Sequence, residues 1–289
     1  GTRDNWSAEI IPYSGGSDHA VFLGGGINIP ATMFGSWPDY FYHSSGDTPD
    51  KSDPTQLKRA IVCGVLAAAS LATIEGQAGL ALLQTMVSRG IRRQDQAADA
   101  ALAFLEKSGL RGEDLRTALN IARQKALREV EALSSMKALL PGDANMISRI
   151  EKLSAEVLAH RDLGIKRVKD RFFRDSRAND EVPETVGMSA DEKKAIRLIP
   201  RRNEDFPGYF EGEFISSKLR DRKLPAVQVR LNGFQRFEAA AFINGRRDIL
   251  EIWNAVRAET GAAELSDVIS YLSMLESIGL IAFNEPRGS

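Results

Sequence analysis

Leu115-Arg116-Thr117-Ala118-Leu119-Asn120-Ile121-Ala122-Arg123-Gln124-Lys125-Ala126-Leu127-Arg128-Glu129-Val130-Glu131-Ala132-Leu133 is the stretch whose period decides the fold class. Leu115, Leu119, Ala122, Ala126, Val130 and Leu133 recur in steps of three and four, so on a helix of 3.6 residues per turn they form one apolar stripe. The spacing predicts a helix over 113–140. Downstream, Leu140-Pro141-Gly142-Asp143 is turn chemistry, and Met146, Ile150, Leu153 and Val157 then mark the apolar side of a second long helix. Two such helices joined by a short turn read as an antiparallel hairpin. Upstream, Gly109-Leu110-Arg111-Gly112 and Gly90 separate predicted helices over 93–107 and 78–89.

Within the hairpin, His160 reads as a partly exposed helical residue among charges. Lys166-Arg167-Val168-Lys169-Asp170-Arg171 reads as a solvated helix end, where cations favour the negative pole of the helix dipole. Further upstream, Asp53 or Thr55 suits a cap and Pro54 a first turn. Leu57, Ile61, Val65, Leu66 and Ala69 then predict a helix of roughly twenty residues. Its apolar run over 61–74 is too short, and too closely flanked by Lys58, Arg59 and Glu75, to predict a membrane span. Cys63, the only cysteine, sits in this run and reads as a buried, inert thiol. A single cysteine excludes an intramolecular disulfide and any cysteine-built zinc or iron–sulfur site.

Toward the C-terminus, 174–190 is polar and 199–212 is loop-like, with Pro207-Gly208 as a turn, so a linker or lid is expected. Ala226-Val227-Gln228-Val229-Arg230-Leu231 alternates as a strand and Asn232-Gly233 would turn it. Helices over 248–258 and 265–279 and a strand over 280–283 follow. That order resembles a winged helix, with Leu250, Ile252, Val256, Val268, Leu272 and Leu275 as its core. Charge argues against DNA for it, since 234–289 carries five arginines against eight acids. Over all 289 residues, 38 bases against 39 acids leave a net charge of −1 and no pull toward nucleic acid or anionic membrane. The 43% hydrophobic content supports one large or two to three smaller cores.

Residues before 54 read differently, as loops and short strands rich in Gly, Pro, Ser, Asp and aromatics, with apolar runs at Ala20-Val21-Phe22-Leu23 and Ile29-Pro30-Ala31-Thr32-Met33-Phe34. Three segments here carry chemistry: Ser14-Gly15-Gly16-Ser17-Asp18-His19-Ala20-Val21-Phe22, then Gly26-Ile27-Asn28-Ile29-Pro30, then Tyr42-His43-Ser44-Ser45-Gly46-Asp47-Thr48. In this order they resemble the closing part of the catalytic domain of the zinc aminopeptidase family, which includes bacterial leucyl aminopeptidases, glutamate carboxypeptidase and, more distantly, glutaminyl cyclase. The resemblance covers 7–75, about a quarter of the chain.

What the resemblance implies is specific. His43 matches the family's last zinc ligand, and Tyr42 the hydroxyl that helps hold the tetrahedral oxyanion. Asp18 and His19 match a segment beside the site that orients ligands by hydrogen bonds, and Asp47 would cap or brace the loop after His43. Trp37 and Tyr40, crowded with Phe41 before His43, would wall a specificity pocket or pack the domain edge. Apart from the resemblance, the basic stretches 197–202 and 218–223 read either as solvated helix ends or as a lid on which Arg201, Arg202 or Arg220 would recognise a substrate carboxylate.

The family site holds two zinc ions and needs an earlier His-x-Asp, a Glu-Glu pair and a further Asp, none of which occurs among these residues before Ser7. The expected protein is therefore a C-terminal fragment of a zinc metallopeptidase, inactive and holding zinc weakly or not at all when alone, with the other ligands upstream or on another chain. Gly1-Thr2-Arg3-Asp4-Asn5-Trp6, with no initiator methionine and no signal-peptide pattern, reads as the cut end of a longer chain. The alternatives are a non-catalytic relative serving as an interaction scaffold and a winged-helix DNA-binding regulator. The fold class expected is mostly α with minor β: a peptidase-domain remnant over 1–76, a helical region over 77–178, a linker or lid over 179–233 and a winged-helix-like domain over 234–289. A half-domain would leave apolar surface uncovered, so a homo-oligomer is expected, with peptide as the substrate of the intact protein.

Overall fold

The computed structural model of the protein describes residues 6, 8–11, 15–27, 29–140, 142–178, 187–225 and 229–284. Ser14 and Asn28 of the motif segments, Pro141 of the hairpin turn and Ala226-Val227-Gln228 of the expected strand lie outside the described residues.

The chain is mostly helical with one small sheet. The apolar run at 20–23 is not a strand but a short helix, α1 (His19–Leu23). A strand needs a neighbour to pair with; these backbone groups bond locally instead, Ala20 N–H to Ser17 O and Val21 N–H to Asp18 O. The run at 29–34 likewise carries no strand. Then α2 (Pro54–Ala72) begins where its sequence signals place it: the Asp53 carboxylate accepts from the N–H groups of Thr55 (2.6 Å) and Gln56 (3.2 Å). Not one residue of α2 is buried, and Leu57, Ile61, Val62, Val65, Leu66 and Leu71 stand exposed. Cys63 is accordingly only half-buried rather than enclosed. By length and composition α2 is the one described helix that is apolar enough to cross a bilayer, with a mean hydropathy of 1.2 and Lys58 and Arg59 within it.

Gly90 does not divide two helices. A single helix, α3 (Gly76–Glu106), runs through it. Gly90 is buried, and a Cβ there would meet Glu129 Oε2 at 3.0 Å, so the glycine serves a close approach of helices and not a break. Next come α4 (Gly112–Ser135), a 3₁₀ turn (Met136–Ala138) and α5 (Ala144–Ala178). Asp114 starts α4 by accepting from Arg111 N–H at 2.9 Å, and Asp143 starts α5 by accepting from Met146 N–H at 2.9 Å. Asp95 meets His160, Asp99 meets Arg167 and Glu106 meets Arg171, so α3 and α5 run in the same direction. With α4 reversed between them, the expected hairpin is two sides of a three-helix bundle.

The bundle has two apolar layers. One joins Leu83, Val87, Leu133, Met146, Ile150 and Val157; the other joins Ala101, Leu105, Ala118, Leu119, Val168 and Phe172. Gln94 and Glu129, both buried, lie on α3 and α4 between the two, and Arg93 grips Glu129 with two hydrogen bonds of 2.7 and 2.6 Å.

The C-terminal unit comprises α6 (Ala190–Ala195), β1 (Ile199–Arg202), α7 (Gly212–Asp221), α8 (Gly233–Ala241), α9 (Ile249–Thr260), α10 (Leu265–Ser277) and β2 (Ile281–Asn284). The segment read as loop-like, 199–212, therefore supplies a strand at its start and leads into α7 at its last residue. β1 pairs antiparallel with β2 from Ile199↔Asn284 to Arg202↔Ile281, partners 79 to 85 positions away that no local pattern reveals. Val229, Arg230 and Leu231 are not in a strand, and Asn232-Gly233 does not turn one: the Asn232 side chain accepts from Gln235 N–H and Gln235 from Asn232 N–H, a capping box that starts α8. Of the six expected core residues, Ile252, Val256, Val268, Leu272 and Leu275 are buried, and Leu250 packs half-buried against them.

A polar seam joins this unit to the bundle. Along α4, Arg116 pairs with Glu192, Thr117 accepts from Arg257, Asn120 donates to Asn254 O (2.8 Å), Arg128 pairs with Glu259 (2.5 Å) and Glu131 with Arg247.

Candidate functional site

The loop between α1 and α2 is built from local bonds. Ser44 Oγ donates to Phe41 O at 2.6 Å and accepts from Gly46 N–H at 3.2 Å, so the backbone folds tightly around His43. His43 itself takes φ = 58°, the left-handed region that only a few non-glycine types visit. That turn lays the imidazole on the Tyr42 ring, with centroids 3.8 Å apart and planes at 20°. Trp37 then meets Tyr42 edge-on at 5.8 Å. Trp37, Tyr42 and His43 thus form one aromatic cluster, whose members all face solvent.

The other expected residues separate from it. Tyr40 projects into solvent at 87% exposure. Asp47 enters the loop through its backbone N–H, which donates to Ser44 O at 3.2 Å, while the side-chain bracing comes from Ser44 and from Thr48 with Asp50. Asp18 sits at the N-cap of α1, where its carbonyl accepts from Val21 N–H but its side chain makes no capping bond, and His19 is half-buried as the first residue of that helix.

Arg201 and Arg202 are strand residues of β1, paired with Ala282 and Ile281 of β2. Arg201 pairs with Glu204 at 3.0 Å. Arg202 lies 3.8 Å over the Phe210 ring and donates to Ala240 O at 3.3 Å and to Gly208 O. Burial pulls its guanidinium down to about 10. Nη1 and Nη2 both donate to carbonyls while Nε is buried without a partner among the described residues, so the outer Nη1/Nη2 fork is not open to a substrate carboxylate.

A structural or catalytic zinc takes three or four protein ligands. Among the described residues, no group of three or more His, Cys, Asp and Glu side chains is gathered to hold a metal ion. His43 offers one imidazole, so the described residues do not fit a complete zinc site and no catalytic step can be drawn through one here.

Sequence reasoning missed the contact between the glycine run and the C-terminal unit. Gly24 is buried, and Cβ atoms on Gly24, Gly25 and Gly26 would fall 3.0 Å from Tyr209 N, 3.0 Å from Ala240 O and 1.8 Å from Pro207 O. Three consecutive glycines were the visible signal, because backbone approach this close admits no side chain. Glu238, at the seam, was also missed: burial with Glu259 alongside raises its carboxyl to about 7, Arg128 opposing. No protein-family model, curated protein or solved structure matches this chain.

Proposed function

We propose that residues 7–75 are the closing segment of a zinc aminopeptidase-like catalytic domain. His43 contributes one metal ligand and Tyr42 a hydroxyl to a site whose remaining ligands come from residues outside these 289. The reaction of the complete site is metal-assisted hydrolysis of an N-terminal peptide bond, and the C-terminal unit, read as winged-helix-like, is a packing module. One observation carries the reading. The Tyr42–His43 pair is presented on a tightly bonded loop directly before an Asp53-capped helix that has no buried residue and exposes Leu57, Ile61, Val62, Val65, Leu66 and Leu71. An apolar helix with no buried residue is a piece of a larger core.

The test is hydrolysis of an aminoacyl anilide, with zinc content measured in parallel. The 289-residue chain is expected to be inactive. The longer protein with its complete ligand set is expected to hydrolyse the substrate, and His43→Ala to lower kcat/KM by roughly a hundredfold or more with loss of zinc. A His43→Ala protein with full zinc content and rate would overturn the proposal. The scaffold reading, favoured by the lack of a gathered ligand group among the described residues, requires the longer protein to be inactive as well.

The uncovered face of α2 also makes the isolated chain self-associate. Sedimentation velocity over increasing concentration should show a growing dimer or larger species, and Val65→Glu with Leu66→Glu should abolish it. A strictly monomeric chain at high concentration contradicts this.

A further inference from the structure

We propose that the C-terminal unit is a clamp on the N-terminal segment, seated on Gly24, Gly25 and Gly26 and held in shape by Arg202, and that it fixes the placement of α1. The receiving surface has two parts that are distant in sequence: the turn at 207–209 and the C-terminal end of α8 at Ala240 and Ala241. Arg202 ties the two parts together, since one guanidinium nitrogen donates to Gly208 O and the other to Ala240 O. Phe210 beneath the guanidinium and the Tyr209–Phe237 ring contact, at 5.5 Å, hold the turn against α8.

The glycine run meets both parts. Gly24 lies against Tyr209, Gly25 against Ala240 and Ala241, and Gly26 against the Pro207 carbonyl. The run is itself bound back to α1: Gly24 N–H donates to Ala20 O (3.1 Å), Ile27 N–H to Gly24 O (2.9 Å) and Ile29 N–H to Phe22 O (2.8 Å). Ala20 and Gly24 are the buried residues of this stretch, while its larger apolar side chains Val21 and Phe22 remain exposed. Leu23 is half-buried, so backbone seating at the glycines, with Ala20 and Leu23 beside it, holds α1 in place. Under the functional reading above, on which only this consequence rests, the clamp sets the position of Asp18 and His19 relative to the site.

Hydrogen–deuterium exchange on the 289-residue chain reads the contact without metal or activity, so its outcome is separate from that of the peptidase reading. Gly26→Val places a side chain where the Pro207 carbonyl lies, and Arg202→Met removes the tie from the opposite side. Each is expected to raise exchange at 20–24, 27–29 and 206–211 at least tenfold. Gly35→Ala, at a glycine with open space around it, is expected to change none of them. Unchanged protection in the α3–α5 bundle shows that each variant is folded. Protection at 20–24 that survives both Gly26→Val and Arg202→Met overturns the proposal, as does loosening of 206–211 alone.

Discussion

Gln94 is 5% exposed, and neither its amide nitrogen nor its amide oxygen has a partner. A buried amide without hydrogen bonds costs about 1–3 kcal/mol relative to an apolar group of similar shape. Gln94→Leu is therefore expected to stabilise the bundle by roughly that amount, measured as a shift of the urea midpoint at constant slope. A lower midpoint would mean that the amide is satisfied in solution, by water for example. Its neighbour Glu129 is the opposite case, buried but gripped twice by Arg93, with Gly90 alongside leaving room for the carboxylate. From sequence, Gly90 reads as a separator of two helices, and nothing singles out Gln94 or Glu129. Only the facing helix reveals what these residues meet.

At the scale of elements, the helices were the most legible part. The stripe over 115–133, the Asp53-Pro54-Thr55 start of α2 and the Asp248 cap of α9 are encoded by neighbours within one or two turns. β2 lies at 281–284, where a strand over 280–283 was expected, but β1 was not legible, because it exists through β2 and nothing in Ile199-Pro200-Arg201-Arg202 alternates clearly. Asn232-Gly233 shows the same limit in reverse: the pair suits a hairpin turn, but Gln235 three residues on converts Asn232 into a cap. The candidate site was legible in part. Tyr42 and His43 are adjacent by sequence and remain together, whereas Arg201 and Arg202 were read without knowing that a carbonyl cradle awaited Arg202.

Across the whole molecule, the seam between bundle and C-terminal unit makes stability depend on pH. Glu238 on α8 faces Glu259 on α9 and Arg128 on α4, and Arg128 already pairs with Glu259. Its folded pKa of about 7 lies above the ordinary 4.5, so the folded state holds a proton that the unfolded state releases. The stabilisation is present below about pH 4.5, is lost as pH rises toward about 7, and is constant above that. Its size is on the order of 2 kcal/mol. Denaturation midpoints of the wild type should fall across this window, and Glu238→Gln should flatten that part of the profile. An unchanged slope in the variant would assign the dependence to other groups.

The sequence by itself determined the apolar stripes of α4 and α5, the start of α2 at Asp53, the helices α9 and α10 and the adjacency of Tyr42 to His43, because each depends on residues within a few turns of one another. It also determined that α2 is apolar. Only the tertiary structure decided that α2 is uncovered, that β1 is a strand, that Arg202 serves carbonyls and that Gly24, Gly25 and Gly26 seat the C-terminal unit. Those facts depend on which groups far apart in sequence come into contact, and no local period or cap records that.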